Sequence, residues 1–291
     1  MRSVLITGGS GSFGRAFVKR LLSLRCELDE TNPAYADPSP NRICIYSRGE
    51  HAQALMRAEF GDNPRLRYFI GDVRDQERLR RAMRGCDTVI HAAALKRIEV
   101  GNENPSEMVR TNVEGAMNVI AAASKEGVEK VVALSTDKAY QPISPYGQTK
   151  ALAESLFLAA TREHGWPKCA VTRYGNVWKS AGSVVPRWLK VLEHSDSVPV
   201  SDPQCTRFMM LMSDAVDLVR NTAETMHGGE LVIPRLPAYR LSDLAEAMGA
   251  KMTVLGLPPW EKLHEGMDDN NTSDTANRLS VDELKGLLRD E

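Results

Sequence analysis

The sequence predicts an α/β fold: a doubly wound parallel sheet followed by a small mixed C-terminal lobe. Three observations predict it. Short apolar runs alternate with amphipathic stretches through residue 175, a glycine-rich turn follows the first run, and beyond 176 the alternation breaks into shorter pieces.

Six runs read as strands: SVLITG (3–8), RICIYS (42–47), LRYFIGD (66–72), DTVIHAAA (87–94), KVVALST (130–136) and CAVTRYG (169–175). Nearly continuous apolar character is what a parallel strand covered on both faces requires. Between them, 13–24, 51–60, 75–85, 105–127 and 146–165 carry apolar residues at helical spacing. Asn104-Pro105 marks the start of the fourth helix and Gly127 its end, because proline suits a first helical position and glycine a C-cap. The stretch 26–41, rich in Pro, Asp and Asn, is expected to be a surface loop between the first helix and second strand.

The domains expected are a dinucleotide-binding unit over 1–175 and a mainly substrate-binding lobe over 176–291, interleaved with the first. The lobe would draw on 182–194, 213–226, the strand-like ELVIP (230–234), the helix-like 241–249 and a last helix begun by Ser280.

Composition narrows the function classes. A chain of 291 residues, 42% apolar and 26% charged, can bury a large core. A formal net charge of −1 gives no global field for nucleic acid or anionic lipid, so neither is an expected partner. Five scattered cysteines show no zinc-ligand spacing and read as reduced thiols, which points to the cytoplasm; no metal is expected. No apolar stretch approaches the roughly 18 residues of a membrane span, and glycines interrupt the N-terminal apolar run at once.

The chemistry is concentrated in two places. ITGGSGSFG sets Gly8, Gly11 and Gly14 three apart on the first strand-to-helix turn, with Ser10, Ser12 and Phe13 between them. Such a loop lets the backbone approach a pyrophosphate at a helix N-terminus. The second strand ends in Ser47-Arg48, where an acid would select a free ribose hydroxyl; arginine suits a 2′-phosphate, so NADP is expected over NAD. Asp72-Val73 would meet the adenine edge, and the small residues Ala92, Ala93 and Ala94 would let the cofactor pass closely.

In STDKAYQPISPYGQTK (135–150), Asp137 adjoins Lys138, and Tyr146 precedes Lys150 by four residues. That spacing puts Tyr146 and Lys150 on one helix face. A nearby ammonium and a positively charged nicotinamide would lower the phenol from about 10 and let it take a proton while hydride leaves the substrate. His91 reads as a structural residue.

TGGSGSFG, YSRGE, GDVRD, HAAALK, TNVEG, STDKA, YGQTK, TRYGNV, GSVVP, TRF and EKLHE occur in the order of the extended short-chain dehydrogenase/reductase family, which the chain resembles over nearly its whole length. More narrowly it is similar to the UDP-N-acetylglucosamine 4,6-dehydratases that invert C5. The resemblance implies a Rossmann fold, a nucleotide-sugar substrate and a homo-oligomer. It implies Lys138 as the C5 base, Asp137 as the acid for the departing C6 oxygen, and Thr136 hydrogen-bonded near O4. It also implies substrate contacts from Lys96, Asn176, Val185, Thr206 and Arg207, the last aimed at the diphosphate, with Glu261 and Glu265 at the nucleoside end. Lys96 could serve the nicotinamide ribose instead.

Two positions depart from the pattern: Ala181 and Pro258 stand where the family has arginines. A 4-epimerase would use Tyr146, Lys150 and the same cofactor without needing Asp137-Lys138. A C5-retaining dehydratase would carry Asp-Glu in place of Asp137-Lys138, and a non-catalytic NADP-binding regulator tends to lose the Tyr or the Lys. An adjacent ammonium opposes a protonated Asp137, so the protonation states of the pair stay open at this stage.

Overall fold

The computed structural model describes residues 1–23, 40–164 and 167–289. Most of the loop expected at 26–41 therefore lies outside the described residues. The six expected strands are β1 (Ser3–Thr7), β2 (Arg42–Ser47), β3 (Leu66–Ile70), β4 (Thr88–His91), β5 (Lys130–Thr136) and β6 (Lys168–Tyr174). β7 (Asn176–Val177), β8 (Ser197–Val200), β9 (Thr206–Met210) and β10 (Glu230–Val232) follow. The central sheet runs β10-β6-β5-β4-β1-β2-β3, with every pairing parallel.

Both faces of this sheet are covered. The helices are α1 (Ser12–Ser23), α2 (Glu50–Phe60), α3 (Gln76–Met83), α4 (Ile98–Glu103), α5 (Pro105–Met108), α6 (Gly115–Lys125), α7 (Pro145–His164), α8 (Val184–Leu192) and α9 (Met212–Thr225). Side chains of a strand alternate in direction. Leu5 accordingly packs with Leu79, Val119 and Phe157 from α3, α6 and α7, while Val4 and Ile6 pack with Phe17 and Leu21 of α1 and Val219 of α9.

The expected fourth helix is not continuous. A π-helical segment, Val109–Glu114, separates α5 from α6. Beyond 176 the chain enters the lobe with β7, α8, β8 and β9 and then returns to the large unit, giving it α9 and the edge strand β10. The lobe holds β11 (Ala238–Arg240), α10 (Leu241–Ala247), β12 (Lys251–Val254), β13 (Gly266–Asp268), β14 (Asn271–Thr272) and α11 (Val281–Arg289), with small sheets β11-β9-β7, β12-β8 and β13-β14. Its core gathers Trp178, Val185, Trp188, Tyr239, Leu244 and Leu284. Ser280 opens α11 by a capping box, accepting from Glu283 N at 3.3 Å while Glu283 Oε2 accepts from Ser280 N at 2.8 Å.

The strand order reverses between β1 and β4, so the loops leaving their C-terminal ends diverge and open a crevice. No described helix is long and apolar enough to cross a membrane.

Candidate active site

That crevice is a cavity of about 1270 Å³ walled by the sheet ends and by the lobe. It exceeds the range of roughly 300–1,000 Å³ usual for one small ligand. One end is lined by Gly8, Ser10, Gly11, Ser12, Phe13, Gly14, Ser47, Arg48, Asp72, Val73, Ala92, Ala93 and Ala94, and the middle by Thr136, Lys138, Tyr146 and Lys150.

At the glycine end, β1 turns into α1 through Gly8 at φ +66°. A Cβ there would lie 2.9 Å from Ala93 N, so the close approach of the turn to the end of β4 demands glycine. Ser10 Oγ donates to Ser47 Oγ at 2.8 Å, and Gln53 Nε2 donates to the same hydroxyl at 2.9 Å, which ties the loop to the end of β2. The Phe13 ring stacks on Phe17. Asp72 is clamped by Arg74 at 2.7 Å, with Arg48 at 3.9 Å. Burial works to raise this carboxyl, but the Arg74 hydrogen bonds outweigh it and hold it low. Arg48 itself is 56% exposed along its side chain. Lys96 Nζ donates to Ala181 O at 2.8 Å, and burial together with Arg97 pushes its pKa down.

At the reaction end, β5 stops at Thr136 and a single 3₁₀ turn, Asp137–Ala139, follows. Asp137 is wholly buried, and its Oδ1 accepts from Thr136 Oγ1 at 2.9 Å and from Lys138 Nζ at 3.0 Å. Its Oδ2 has no hydrogen-bond partner among the described residues. Burial pushes the Asp137 carboxyl up, against the pull of Lys138. Lys138 nevertheless stays above the usual lysine range: burial opposes its charge, but the carboxylates of Asp137 and Glu265 override that.

Tyr146 and Lys150 both line the cavity from α7. Burial pushes the Tyr146 phenol up to about 12, opposed by Lys138 and by the hydrogen bond it shares with Thr136. This differs from the sequence expectation of a lowered phenol: in the protein alone, desolvation wins, and a cation acting against it is Lys138. Lys150 donates to Leu134 O at 2.7 Å and is lowered to about 8 by burial. His91 holds Thr7 Oγ1 at 2.8 Å through Nδ1, and burial lowers it to about 3, so it is a neutral structural group as expected.

The polysaccharide biosynthesis protein family model matches residues 4–282. The chain belongs to that family. It is 44% identical over 277 residues to UDP-N-acetylglucosamine 4,6-dehydratase (inverting) of Campylobacter jejuni, covering 94% of this chain and 79% of that one. It is 39% identical over 296 residues to UDP-glucose 4-epimerase of Rickettsia akari, covering 99% and 82%. The X-ray structure of Pen from Bacillus thuringiensis superposes with a TM-score of 0.91 at 31% identity, over 100% of this chain and 98% of that one. The doubly wound fold expected from the sequence is the one this chain shares with Pen.

In this family member the lobe closes the other end of the cavity with Asn176, Arg207, Tyr239, Trp260 and Glu261. Asn176 hydrogen-bonds the Tyr239 hydroxyl. Arg207 is already engaged: it meets Glu261 at 2.5 Å and donates to the carbonyls of Thr206 and Leu263. Thr206 and Val185 are buried; Thr206 bonds His264 and Ser273, and Val185 belongs to the lobe core. Glu265 lies not with Glu261 but against the reaction pair, 3.2 Å from Lys138 Nζ.

Sequence reading passed over Asn112. From the π segment, Oδ1 of its buried side chain accepts from Leu95 N at 2.8 Å, while Nδ2 donates to Leu95 O at 2.9 Å and Thr149 Oγ1 at 3.1 Å. It thereby fixes the strand-end loop that carries Ala92 to Lys96. A polar residue on the buried face of an otherwise apolar helix was the available signal.

Proposed function

We propose that this protein is a nucleotide-sugar 4,6-dehydratase acting on UDP-N-acetylglucosamine with inversion at C5. The observation that carries the reading is the Asp137–Lys138 ion pair at 3.0 Å, in which Lys138 lines the cavity beside Tyr146 and Asp137 lies wholly buried behind it. The 44% identity to the Campylobacter jejuni enzyme supports the choice of sugar.

A nicotinamide dinucleotide fits the glycine end, where Gly8 is held at positive φ against the β4 end and the loop runs into the N-terminus of α1. When bound, it supplies a reversible hydride acceptor, so that C4 is oxidised and the same hydride is returned at C6. Gly8, Ser10, Gly11, Ser12, Phe13 and Gly14 would hold its pyrophosphate, Asp72 and Val73 its adenine edge, and Tyr146, Lys150 and Lys96 its nicotinamide ribose. The form we propose is NADP, because β2 ends in Ser47-Arg48 and brings no acid to that position.

Tyr146 takes the proton of the C4 hydroxyl, which Thr136 helps to orient. A C4 ketone acidifies the hydrogen on C5; Lys138 removes it, and Asp137 protonates the departing C6 oxygen. One water leaves. The lobe residues Asn176, Arg207 and Glu261 face the rest of the sugar nucleotide. Buried, unpaired Cys44, Cys86, Cys169 and Cys205 fit a reducing cytoplasm, and family likeness favours a homo-oligomer.

Turnover of UDP-N-acetylglucosamine in deuterated water tests the reading. Loss of water with deuterium in the product supports it. A C4 epimer formed without water loss makes the protein an epimerase, and tight cofactor binding without turnover makes it a regulator.

A further inference from the structure

Lys138 has two carboxylates within ion-pair range. Asp137 Oδ1 lies 3.0 Å from its Nζ and Glu265 Oε1 lies 3.2 Å from the same atom. Glu265 is 2% exposed, and its place is set from several sides. Its N–H donates to Ser273 Oγ at 2.9 Å, its carbonyl accepts from Ser273 N at 2.7 Å, and Ser273 Oγ donates to Thr206 O at 3.1 Å. Lys262 Nζ lies 3.8 Å from Oε2 and donates to Tyr140 O at 2.5 Å. Oε2 has no hydrogen-bond partner among the described residues. Arg207, Tyr146 and Tyr239 are the other titratable or charged groups acting on this cluster.

The two buried carboxylates share the Lys138 ammonium, but Glu265 also has Lys262 at 3.8 Å, so Asp137 is the one whose protonated form is favoured. Asp137 is wholly buried and is pushed up by that burial and by the charge of Glu265, against the pull of Lys138, which it shares with Glu265. Glu265 is drawn down by Lys138, Arg207 and Lys262, which together outweigh its own burial.

We propose that Glu265 is a positioning residue for the elimination: it is the counter-ion of the ammonium that Lys138 becomes when it takes the C5 proton. The inference rests on the dehydratase reading above. A proton passes from Lys138 Nζ to Asp137 Oδ1 across their 3.0 Å contact, leaving a neutral amine beside a protonated Asp137 while Glu265 stays a carboxylate. The amine then takes the C5 proton, whose bonding pair becomes the C5–C6 double bond. The C6–O bond breaks as Asp137 gives its proton to that oxygen, and water leaves. Lys138 finally returns a proton to Asp137 across the 3.0 Å contact, restoring the neutral amine and protonated carboxyl. Without Glu265, Lys138 would hold Asp137 as a carboxylate.

Glu265→Gln in the cofactor-loaded protein tests this with UDP-N-acetylglucosamine. Dehydration is expected to fall about 100-fold or more, the usual contribution of acid–base groups. Formation of reduced nicotinamide on mixing with the sugar nucleotide, which uses Tyr146, is retained. Asp137 must be protonated to act, so activity is lost as pH rises through its pKa; in the variant that falling limb moves to lower pH, and Glu265→Asp moves it back. An unmoved limb, or cofactor reduction falling in step with dehydration, overturns the proposal. Should the variant not fold, or should the wild type eliminate no water, infrared spectra decide. A protonated-carboxyl band at neutral pH that vanishes in Asp137→Asn supports the proton assignment, and its absence overturns it. A wild type that eliminates no water refutes the dehydratase reading, which the infrared band leaves separate.

Discussion

Two lysines in one cavity are driven in opposite directions. Burial opposes the charge on both, but Lys138 has two carboxylates within 3.2 Å and is raised, whereas Lys150 donates to the Leu134 carbonyl and falls to about 8. Different tasks follow. Lys138→Ala should lower dehydration by about 100-fold or more while leaving reduction of the bound cofactor measurable by its absorbance. Tyr146→Phe, which removes the group proposed to take the C4 proton, should suppress both readouts. Normal turnover by Lys138→Ala would remove it from the mechanism. His91 gives a stability prediction of the same scale. Its native pKa of about 3 lies below the unfolded value, so the unfolded chain binds the proton first. The stability it contributes is complete above pH 6.5 and is lost as pH falls toward 3, by on the order of 3 kcal/mol between pH 6.5 and 4. Urea midpoints of His91→Gln should show a shallower decline over that window than wild type. Parallel declines would mean that His91 does not govern acid unfolding.

At the scale of elements, the reaction geometry depends on α7 lying hard against the 3₁₀ turn. A Cβ on Gly147 would fall 2.3 Å from the Lys138 carbonyl oxygen, a backbone atom with little room to move. Gly147→Ala should therefore separate Tyr146 from Lys138, destabilise the fold by roughly 1–3 kcal/mol and lower kcat more than it raises KM; an unchanged kcat would show that the contact yields freely. Such packing is invisible in sequence, where Gly147 is one letter in YGQTK. What periodicity could reveal was the sheet itself, because a strand buried on both faces must be apolar throughout, as Val4, Leu5 and Ile6 are. The break between α5 and α6 was not legible. It is a matter of backbone register around Asn112, and apolar spacing continues across it. Glu265 was legible as part of a motif but not in its place, since only tertiary folding brings β13 and its preceding residue against the turn after β5. Arg207 likewise gave no sign that Glu261 would engage it.

For the whole molecule, the large unit and the lobe meet across the cavity, and contacts such as Ala181 N to Ser12 Oγ at 3.2 Å and Lys96 Nζ to Ala181 O at 2.8 Å cross it. A ligand seated between them binds only the folded chain and so stabilises it in proportion to its occupancy. Cofactor choice then becomes readable as melting temperature. Arg48, at the mouth and more than half exposed, has Asp72 at 3.9 Å, longer than a hydrogen bond, which leaves its donors for a 2′-phosphate. A tenfold preference amounts to about 1.4 kcal/mol, which shifts Tm by roughly 2–4 °C. NADP should therefore raise Tm by about that much more than NAD at equal saturating concentrations, and Arg48→Ala should erase the difference while keeping the rise that NAD gives. Equal shifts in the wild type, or a larger one with NAD, would assign the dinucleotide without the phosphate, and would leave Arg48 as the partner of Asp72 alone.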